Sequence, residues 1–483
     1  MNVLRCLVIL VILHQTVPSP LEAQPLREHP DVAPTIKLLE QWIEAQMEYR
    51  ALPGLALAIV HDQTLVWSRG FGYADLKTRT PMTPRTIFRI ASITKTFTST
   101  AILQLRDRGK LRLDDPVSTY LPWFTYKNRH AEGPAVTVRQ LLTHTSGLPR
   151  ESAFPYWTDY KFPSREEMVT ALQSQESIFE PETRYKYSNL GMAILGEVVA
   201  TAAGESYDAY ITKNILQPLR MTSSSVSPPE SLRSRYATGY GRRFADGTRM
   251  ESPFMDSRGL TPAANISSTV EDLALFASFH MLEGKNTQGQ ILKGSTLREM
   301  HRVHWIQTGW RSGRGLGFAV SKDDSRVTYG HGGWVAGNRS QLLISPKEKV
   351  AVIVMTNADD GAPGFFANRA LSMLAPVIAK ATAPPVSEPK PDPLWQKYVG
   401  TYTDPSGWET EVMIMNNKLV LYGYGYPPED DPTNSITELT PEGTHRFRMT
   451  GESDSGELVE FELGADGKVV RVKSEENYMY PKR

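Results

Sequence analysis

The stretch that decides the fold is "RIASITKTFT" at residues 89–98, where a serine and a lysine stand three residues apart. Apolar residues recur at helical spacing from there onward, at Phe97, Ala101 and Leu105. Gly109 supplies a stop signal, so Ser92 is predicted to stand at or near the first turn of a helix. Because residues three apart share a helix face, we expect the Lys95 side chain beside the Ser92 hydroxyl.

Two interpretations of this pair stay open. A neutral lysine could accept the serine proton if burial or a neighbouring cation lowers its pKa. The unpaired N–H groups of the helix N-terminus could then stabilise a developing oxyanion. However, serine is also a favoured N-cap, so the Ser92–Lys95 spacing, taken alone, is more typical of a capping hydroxyl.

A second cluster, Tyr187-Ser188-Asn189, immediately precedes an apolar segment predicted as a helix from about residue 190 to 203. A tyrosine held against a lysine can shuttle protons, because each lowers the cost of the other's reactive form. Asn189 offers both an amide donor and an acceptor to a substrate amide. The alternative is a half-buried tyrosine at a helix start, with Ser188 or Asn189 as the cap.

A third cluster is His331-Gly332-Gly333, which leads towards a predicted strand in "GHGGWVAGNRSQLLIS", residues 330–345. Paired glycines let a backbone approach a ligand closely, and an edge-strand N–H there could complete an oxyanion pocket. The alternative is a hairpin turn that carries His331 on the surface.

In this order the three clusters resemble the motifs of the serine β-lactamase and penicillin-binding-protein superfamily. The chain resembles the class C β-lactamase-like branch, which also holds D-aminopeptidases, carboxylesterases and mitochondrial β-lactamase-like peptidases, over about residues 36–359. Further matching stretches are "PGLALAIV", "GKLRLDDPV", "VTVRQLLTHTSGL", "RYKYSNLG" and "GLGF". The resemblance implies an α/β (α+β) β-lactamase/transpeptidase-like sandwich, in which helices flank an antiparallel sheet.

The resemblance also implies a role for each matching position. Ser92 would be the acylated nucleophile, Lys95 its proton acceptor, and Tyr187 the base or shuttle that activates water for deacylation. Asn189 would hold the substrate amide, and the backbone N–H groups of Ser92 and Trp334 would form the oxyanion hole. No metal or organic cofactor is implied.

One departure concerns the third cluster, which would also bind substrate. β-Lactamases and DD-peptidases usually carry Lys-Thr/Ser-Gly there, whereas this chain has His331-Gly332-Gly333. Histidine is mostly neutral near pH 7, so recognition of a free substrate carboxylate is expected to be weaker. Arg339 could restore a cation, but its direction cannot be derived from the sequence.

The 483 residues carry 53 basic and 53 acidic side chains, so nothing in the net charge favours nucleic acid or an anionic membrane as a partner. A small-molecule or short-peptide substrate is expected, and a homo-oligomer stays open.

The apolar run at residues 6–13 is shorter than the ~20 residues of a membrane span. We therefore interpret residues 1–23 as a secretory signal peptide, with export to the periplasm or the extracellular space; an uncleaved anchor is the alternative. Cys6 is the one cysteine, so the mature chain is expected to lack disulfides.

The remaining chain divides into three predicted parts. Residues 24–379 form the β-lactamase-like domain, in which strands from both ends of the domain are expected to meet in one sheet. Residues 380–393 hold five prolines and indicate a stiff linker. Residues 394–483 show short strands separated by turn signals, which predicts a small all-β barrel. The stretch "YVGTY" at residues 398–402 gives this barrel a lipocalin-like resemblance.

The leading hypothesis is a serine hydrolase that forms an acyl-enzyme on Ser92 and acts on a small peptide-like amide, such as a D-amino-acid peptide, or on a carboxylic ester. Alternatives within catalysis are a true β-lactamase, a DD-carboxypeptidase or an acyltransferase. The alternative of another class is a penicillin- or peptide-binding sensor without turnover.

Overall fold

The computed structural model describes residues 26–130, 132–282, 290–323, 326–383, 391–423, 435–450 and 456–482. The expected signal peptide at residues 1–23 lies outside this range. The chain divides into two compact units, the first ending at Thr382 and the second beginning at Ala383.

The first unit combines helices with a large antiparallel sheet. Its helices are α1 (Val32–Arg50), α2 (Thr94–Asp107), α3 (Val138–Thr143), α4 (Tyr156–Asp159), α5 (Arg165–Leu172), α6 (Asn189–Ala203), α7 (Tyr207–Ile211), α8 (Thr261–Ala264), α9 (Val270–His280), α10 (Gly294–His301) and α11 (Pro363–Thr382). Its strands are β1 (Gly54–His61), β2 (Thr64–Asp75), β3 (Thr80–Pro81), β4 (Phe88–Arg89), β5 (Ser267–Ser268), β6 (Trp305–Ile306), β7 (Ser312–Arg314), β8 (Ala319–Lys322), β9 (Val327–Val335), β10 (Asn338–Ser345) and β11 (Val350–Thr356). The sheet order is β3-β2-β1-β11-β10-β9-β8-β7-β6, and β4 pairs with β5 separately.

The sheet joins the two ends of this unit, as predicted. Strand β1 pairs antiparallel with β11, with Leu57 opposite Val354. Both strands are almost entirely buried because helices cover both faces of the sheet, which explains their continuous apolar sequences. On one face, alternate β1 residues pack with α1 and α11; the intervening residues face the larger core, which contains α2, α6 and α9.

The second unit is a closed barrel of eight antiparallel strands. They are β12 (Gly400–Thr403), β13 (Glu409–Met415), β14 (Lys418–Gly423), β15 (Ile436–Gly443), β16 (Arg446–Thr450), β17 (Leu458–Leu463), β18 (Val469–Ser474) and β19 (Asn477–Pro481). Aromatic side chains fill its interior: Tyr398 stacks on Phe461 with ring centroids 4.3 Å apart, and Phe447 packs against both. The sandwich and the barrel together confirm the predicted fold class.

Two further findings concern the predicted linker and membrane-spanning helices. Helix α11 extends to Thr382, so three residues of the segment expected as a linker are helical, while residues 384–390 of that segment lie outside the described ranges. No helix in the described part of the chain is both long and apolar enough to cross a membrane.

Candidate active site

Ser92 lies in a tight turn between β4 and α2. The turn is a 3₁₀ helix, Ala91–Ile93, that continues directly into α2. Ala91 has φ +49°, in the left-handed region that residues with a Cβ rarely adopt. The surroundings hold this conformation, since Ala91 is fully buried and the Ser340 hydroxyl donates to the Ile90 carbonyl at 2.9 Å. The position of Ser92 is therefore fixed from both sides.

Lys95 and Tyr187 both contact the Ser92 hydroxyl. Lys95 Nζ lies 3.0 Å from Ser92 Oγ, and the Tyr187 hydroxyl donates to the same oxygen at 2.9 Å. Lys95 Nζ also donates to the Ala263 carbonyl at 2.8 Å and lies 4.9 Å from the centre of the Tyr187 ring. The helical spacing therefore did bring Lys95 beside Ser92, and the fold adds Tyr187 from 95 residues away.

Burial sets the protonation of this cluster. Desolvation holds the pKa of the fully buried Lys95 well below its usual value, against the opposing pull of the Glu151 carboxylate. Burial raises the pKa of the Tyr187 phenol, although the hydrogen bond with Ser92 acts in the other direction. Both shifts favour the uncharged forms beside the serine hydroxyl, the amine of Lys95 and the phenol of Tyr187.

Helix α6 begins immediately after Tyr187. Ser188 is its N-cap, because its hydroxyl accepts from the Gly191 N–H at 2.8 Å. The Ser188 N–H donates to Nδ1 of buried His144 at 3.2 Å, and the His144 ring packs 4.5 Å from the Tyr187 ring. His144 thus helps to orient the second cluster. Burial lowers the pKa of the His144 imidazole well below its usual value.

The amide of Asn189 has an unexpected partner. Its Nδ2 donates to both carboxylate oxygens of Glu151, at 2.8 and 3.0 Å, and its Oδ1 is buried without a hydrogen-bond partner among the described residues. The sequence led us to expect both a donor and an acceptor for substrate. In the structure the donor is already engaged within the protein.

The third cluster lies inside strand β9, so the hairpin-turn alternative is wrong. The turn between β9 and β10 falls at residues 336–337. His331 is only 7% exposed, and its Nδ1 donates to the Gly332 carbonyl at 2.6 Å. Burial lowers the pKa of His331 to about 3, so this side chain is neutral near pH 7.

Strand β9 presents a free edge next to Ser92. Its pairing with β8 ends at Gly330, so the edge from His331 onward is not covered by that neighbouring strand. A Cβ on Gly333 would overlap the Ile90 carbonyl and the Ser340 hydroxyl, so only glycine lets the strand lie this close to the serine turn. Trp334 follows on the same edge, and its indole donates to Asp359 at 2.9 Å.

A cavity of about 830 Å³ opens over these groups. Ser92, Tyr187, Asn189 and the residues of the third cluster line it together with Trp334. Its remaining lining includes aromatic side chains and three arginines: Trp157, Phe162, Tyr185, Phe365, Arg150, Arg314 and Arg339. No acidic side chain is among the described residues that line it, so the cavity has a positive character.

Several site residues were not found by sequence reasoning. Arg150 stacks its guanidinium 4.9 Å from the centre of the Tyr187 ring, and Glu151 follows it in a loop. Arg314 reaches the cavity from β7, with a buried Nε that lacks a partner in the described ranges. Loops and short strands carry no periodic signal, and the direction of a side chain from them depends on the fold.

Within the described ranges, no group of three or more histidine, cysteine, aspartate or glutamate side chains is placed to hold a metal ion.

The fold and the serine cluster define a class, the β-lactamase-like serine hydrolases. The sequence matches the family model described as Beta-lactamase over residues 39–375. The chain therefore belongs to the β-lactamase family, within a superfamily of serine hydrolases.

Individual relatives agree with this assignment. The chain is 28% identical over 437 residues to Beta-lactamase-like protein 2 of Dictyostelium discoideum, covering 84% of this chain and 78% of that protein. It is 26% identical over 324 residues to Protein flp of Staphylococcus aureus (strain N315), covering 66% of this chain and 62% of that protein. The octameric penicillin-binding protein homologue from Pyrococcus abyssi is a similar solved structure, with a TM-score of 0.64, 26% identity, and coverage of 92% of this chain and 99% of that chain.

Proposed function

We propose that this chain forms an acyl-enzyme on Ser92 and hydrolyses a small peptide-like amide, such as a D-amino-acid peptide, or a carboxylic ester. The observation that carries the proposal is the placement of Ser92 Oγ between Lys95 Nζ at 3.0 Å and the Tyr187 hydroxyl at 2.9 Å, in the wall of the cavity. A nucleophile, a proton acceptor and a proton donor thus meet where a substrate can reach them.

Acylation would begin with proton transfer from the Ser92 hydroxyl to the neutral Lys95 amine. The serine oxygen attacks the substrate carbonyl carbon, and the negative charge moves to the carbonyl oxygen. Backbone N–H groups of Ser92 and Trp334 would stabilise this oxyanion. When the tetrahedral intermediate collapses, the bond to the leaving group breaks, and the proton held by Lys95 passes to that group, with the Tyr187 phenol as the relay.

Deacylation would repeat these steps with water as the nucleophile. Water gives a proton to the Lys95 and Tyr187 pair, its oxygen attacks the acyl carbon, and the proton returns to Ser92 Oγ as the acid leaves. Because burial raises the pKa of Tyr187, its role would be that of a relay for the proton and not that of a permanent phenolate base.

The third cluster supports an amide or ester substrate over a β-lactam or a D-Ala-D-Ala terminus. His331 occupies the position of the usual lysine, and its pKa of about 3 leaves it without charge at neutral pH. Positive charge in the cavity lining comes from three arginines at positions other than that of the usual lysine: Arg150, Arg314 and Arg339.

The test is intact-mass spectrometry of the purified protein over time, with peptide mapping, after mixing with a p-nitrophenyl ester and separately with penicillin. A transient adduct on Ser92 from the ester, with little from penicillin, is expected. A lasting penicillin adduct would indicate a binding sensor, and rapid turnover of a chromogenic cephalosporin would indicate a β-lactamase. A Ser92→Ala variant that hydrolyses the ester at the full rate would overturn the assignment.

Export, assembly and the role of the barrel belong to the same proposal. We expect an exported protein, which N-terminal sequencing of the mature protein from the native host checks. A homo-oligomer is compatible with the octameric homologue from Pyrococcus abyssi, and light scattering coupled to gel filtration measures it. For the lipocalin-like barrel, we propose a role in packing, gating or substrate access.

A further inference from the structure

We propose that a second cavity, beside the strand that leads into the serine turn, binds a small monovalent anion at Arg89 and Tyr236. The anion would be chloride or a short carboxylate, which share the same acceptor chemistry. The cavity has a volume of about 220 Å³ and shares no lining residue with the active-site cavity. The inference therefore goes beyond the proposed function, because it concerns a ligand other than the substrate.

The Arg89 side chain carries a buried charge. It is only 3% exposed, and its Nη1 and Nη2 donate to two neutral acceptors, the Met255 carbonyl and Asn265 Oδ1. Desolvation lowers the pKa of Arg89 to about 10, although Tyr236 and Asp256 act in the other direction, so the guanidinium stays charged near pH 7. Asp256 is exposed, and no ion pair joins Arg89 to a carboxylate in the described part of the chain.

Two donors in the wall of this cavity lack an acceptor. Arg89 Nε and the Tyr236 hydroxyl are both buried atoms without a hydrogen-bond partner among the described residues. Both side chains line the cavity, and Tyr236 lies near enough to Arg89 to influence its pKa. The guanidinium nitrogen can only donate, and the phenol is free to donate as well. Leaving such groups unpaired is costly, so an acceptor in the cavity would relieve both.

The charge of the lining favours an anion over water. Arg233 is a second cation of the wall, and its guanidinium lies 3.4 Å from the centre of the Phe254 ring. The Arg89 guanidinium lies 5.2 Å from the centre of the same ring. Water would satisfy the two donors but would leave the buried charge of Arg89 without compensation, whereas an anion does both.

The balance of charge sets the valence of the anion. Glu251 is the one carboxylate among the described residues of the wall; it is exposed and forms no ion pair with either arginine. Two guanidinium charges and one carboxylate leave the lining with one net positive charge. A monovalent anion neutralises this charge, while a divalent one would introduce an excess of negative charge into a partly buried site.

A bound anion would stabilise two segments that carry the active site. Arg89 belongs to β4, directly before the serine turn, and its N–H donates to Asn338 Oδ1 at 3.4 Å. Asn338 begins β10 and lines the same cavity, together with Ala336 from the turn after β9. The anion is therefore expected to hold β4 against the β9–β10 turn, and its binding should raise the stability of the folded chain.

The test is thermal denaturation of the full chain at rising concentrations of sodium chloride or sodium acetate, together with the line width of the chloride NMR signal. For the wild-type protein we expect a saturable rise of about 2 °C or more in the denaturation midpoint once the anion exceeds its Kd about tenfold. Bound chloride should also broaden the NMR signal. Narrowing of this signal by acetate identifies a site that accepts carboxylates, and persistence of the broadening identifies a halide site.

Two variants change the anion affinity in opposite directions. Tyr236→Phe keeps the ring that packs 5.3 Å from Phe254 but removes one donor, so the Kd should rise about tenfold. Glu251→Gln removes the carboxylate of the wall, so the Kd should fall about threefold. The matched control is Tyr49→Phe, since Tyr49 is 82% exposed and is absent from the cavity lining. That control should keep the wild-type Kd. All variants are compared at the same salt concentrations, so general effects of salt cancel.

Three results would overturn the inference. A wild-type midpoint that does not saturate with either salt, with no broadening of the chloride signal, would mean that water suffices in this cavity. An unchanged Kd in Tyr236→Phe would place any bound anion elsewhere. An equal rise of the midpoint in the wild type and every variant would reduce the effect to a general one of salt. None of these measurements depends on hydrolysis at Ser92, so a failure of the proposed function would be seen separately.

Discussion

Lys95 Nζ lies 3.0 Å from Ser92 Oγ, and the lysine is fully buried. Burial disfavours the ammonium form and holds the pKa of Lys95 well below its usual value. The contact is therefore one between a hydroxyl and an amine that can accept its proton. The same burial has consequences for stability and for the dependence of activity on pH.

Lys95→Met should stabilise the protein while abolishing activity. The pKa of Lys95 is lower in the folded than in the unfolded chain, so between these two values the unfolded chain binds more protons and the free energy of unfolding rises with pH. The free-energy cost of burying Lys95 is fully present at pH values below its pKa in the folded chain. It disappears as the pH approaches its pKa in the unfolded chain, about 10.4. We expect the free energy of unfolding of Lys95→Met to exceed that of the wild type by about 1–2 kcal/mol at neutral pH. Urea denaturation at neutral pH and near the unfolded-state pKa checks this, and a gain independent of pH would contradict it.

Lys95→Arg should remove activity at every pH. In the wild-type protein, kcat/KM for an ester should fall as the pH drops through the lowered pKa of Lys95. A guanidinium stays protonated and cannot accept the Ser92 proton, so a loss of about a thousandfold or more without recovery at high pH is expected. Initial rates across the pH range measure both profiles. A variant that recovers its rate in alkali would argue for another acceptor.

Tyr187→Phe should slow release of the acyl group. The variant keeps the ring that packs on His144 but lacks the hydroxyl that donates to Ser92 Oγ at 2.9 Å. A proton relay of this kind contributes about a hundredfold or more to the rate. The acyl-enzyme from a p-nitrophenyl ester should therefore accumulate on Ser92, which intact-mass measurement detects. Turnover at the wild-type rate would exclude the hydroxyl from deacylation.

Gly333→Ala should damage both stability and activity. The added methyl group would overlap the Ile90 carbonyl and the Ser340 hydroxyl, which brace the serine turn. We expect a loss of about 1–3 kcal/mol in the free energy of unfolding. A displaced nucleophile should also slow acylation by about tenfold or more.

Gly332→Ala is the matched stability control. A methyl group there would meet the end of the flexible Gln341 side chain at 3.2 Å and the Ser340 carbonyl oxygen at 3.7 Å, which is an ordinary contact distance. Its free energy of unfolding should stay within about 0.5 kcal/mol of the wild type. Equal destabilisation by the two variants, measured by denaturation, would contradict the close approach at Gly333.

Arg314→Gln should change selectivity for charge. Arg314 lines the cavity, lies 4.6 Å from the centre of the Tyr185 ring and keeps a buried Nε without a partner in the described ranges. For an ester that bears a carboxylate, kcat/KM should fall about tenfold, with a smaller change for a neutral ester. Exposed Arg311 provides the control Arg311→Gln, which should leave the ratio of the two rates unchanged. An equal effect on both esters in Arg314→Gln would rule out a role in charge recognition.

The elements with a strong periodic pattern were predicted well from the sequence. The helix expected from about residue 190 is α6, with Ser188 as its cap. The apolar runs at the two ends of the domain became β1 and β11, paired in one sheet. Each of these signals is local: an apolar period, a cap or a turn.

The site was predicted only in part. The proximity of Lys95 to Ser92 followed from one helical turn. The burial of His331 could not be predicted from the sequence, because the residues of its strand are equally compatible with a turn. The expectation of weak carboxylate recognition rested on His331 alone, and the arginines that line the cavity carry no sequence pattern that would reveal them.

The sequence by itself determined the local elements, the order of the three clusters and the pairing of Ser92 with Lys95, because these depend on residues within one turn or one apolar period. Only the tertiary structure decided that Tyr187 reaches Ser92 across 95 residues and that Glu151 engages the Asn189 amide across 38. It also decided the charge state of Lys95 and the positive character of the cavity. Those properties depend on burial and on the directions in which loop side chains point, and both are set by long-range packing.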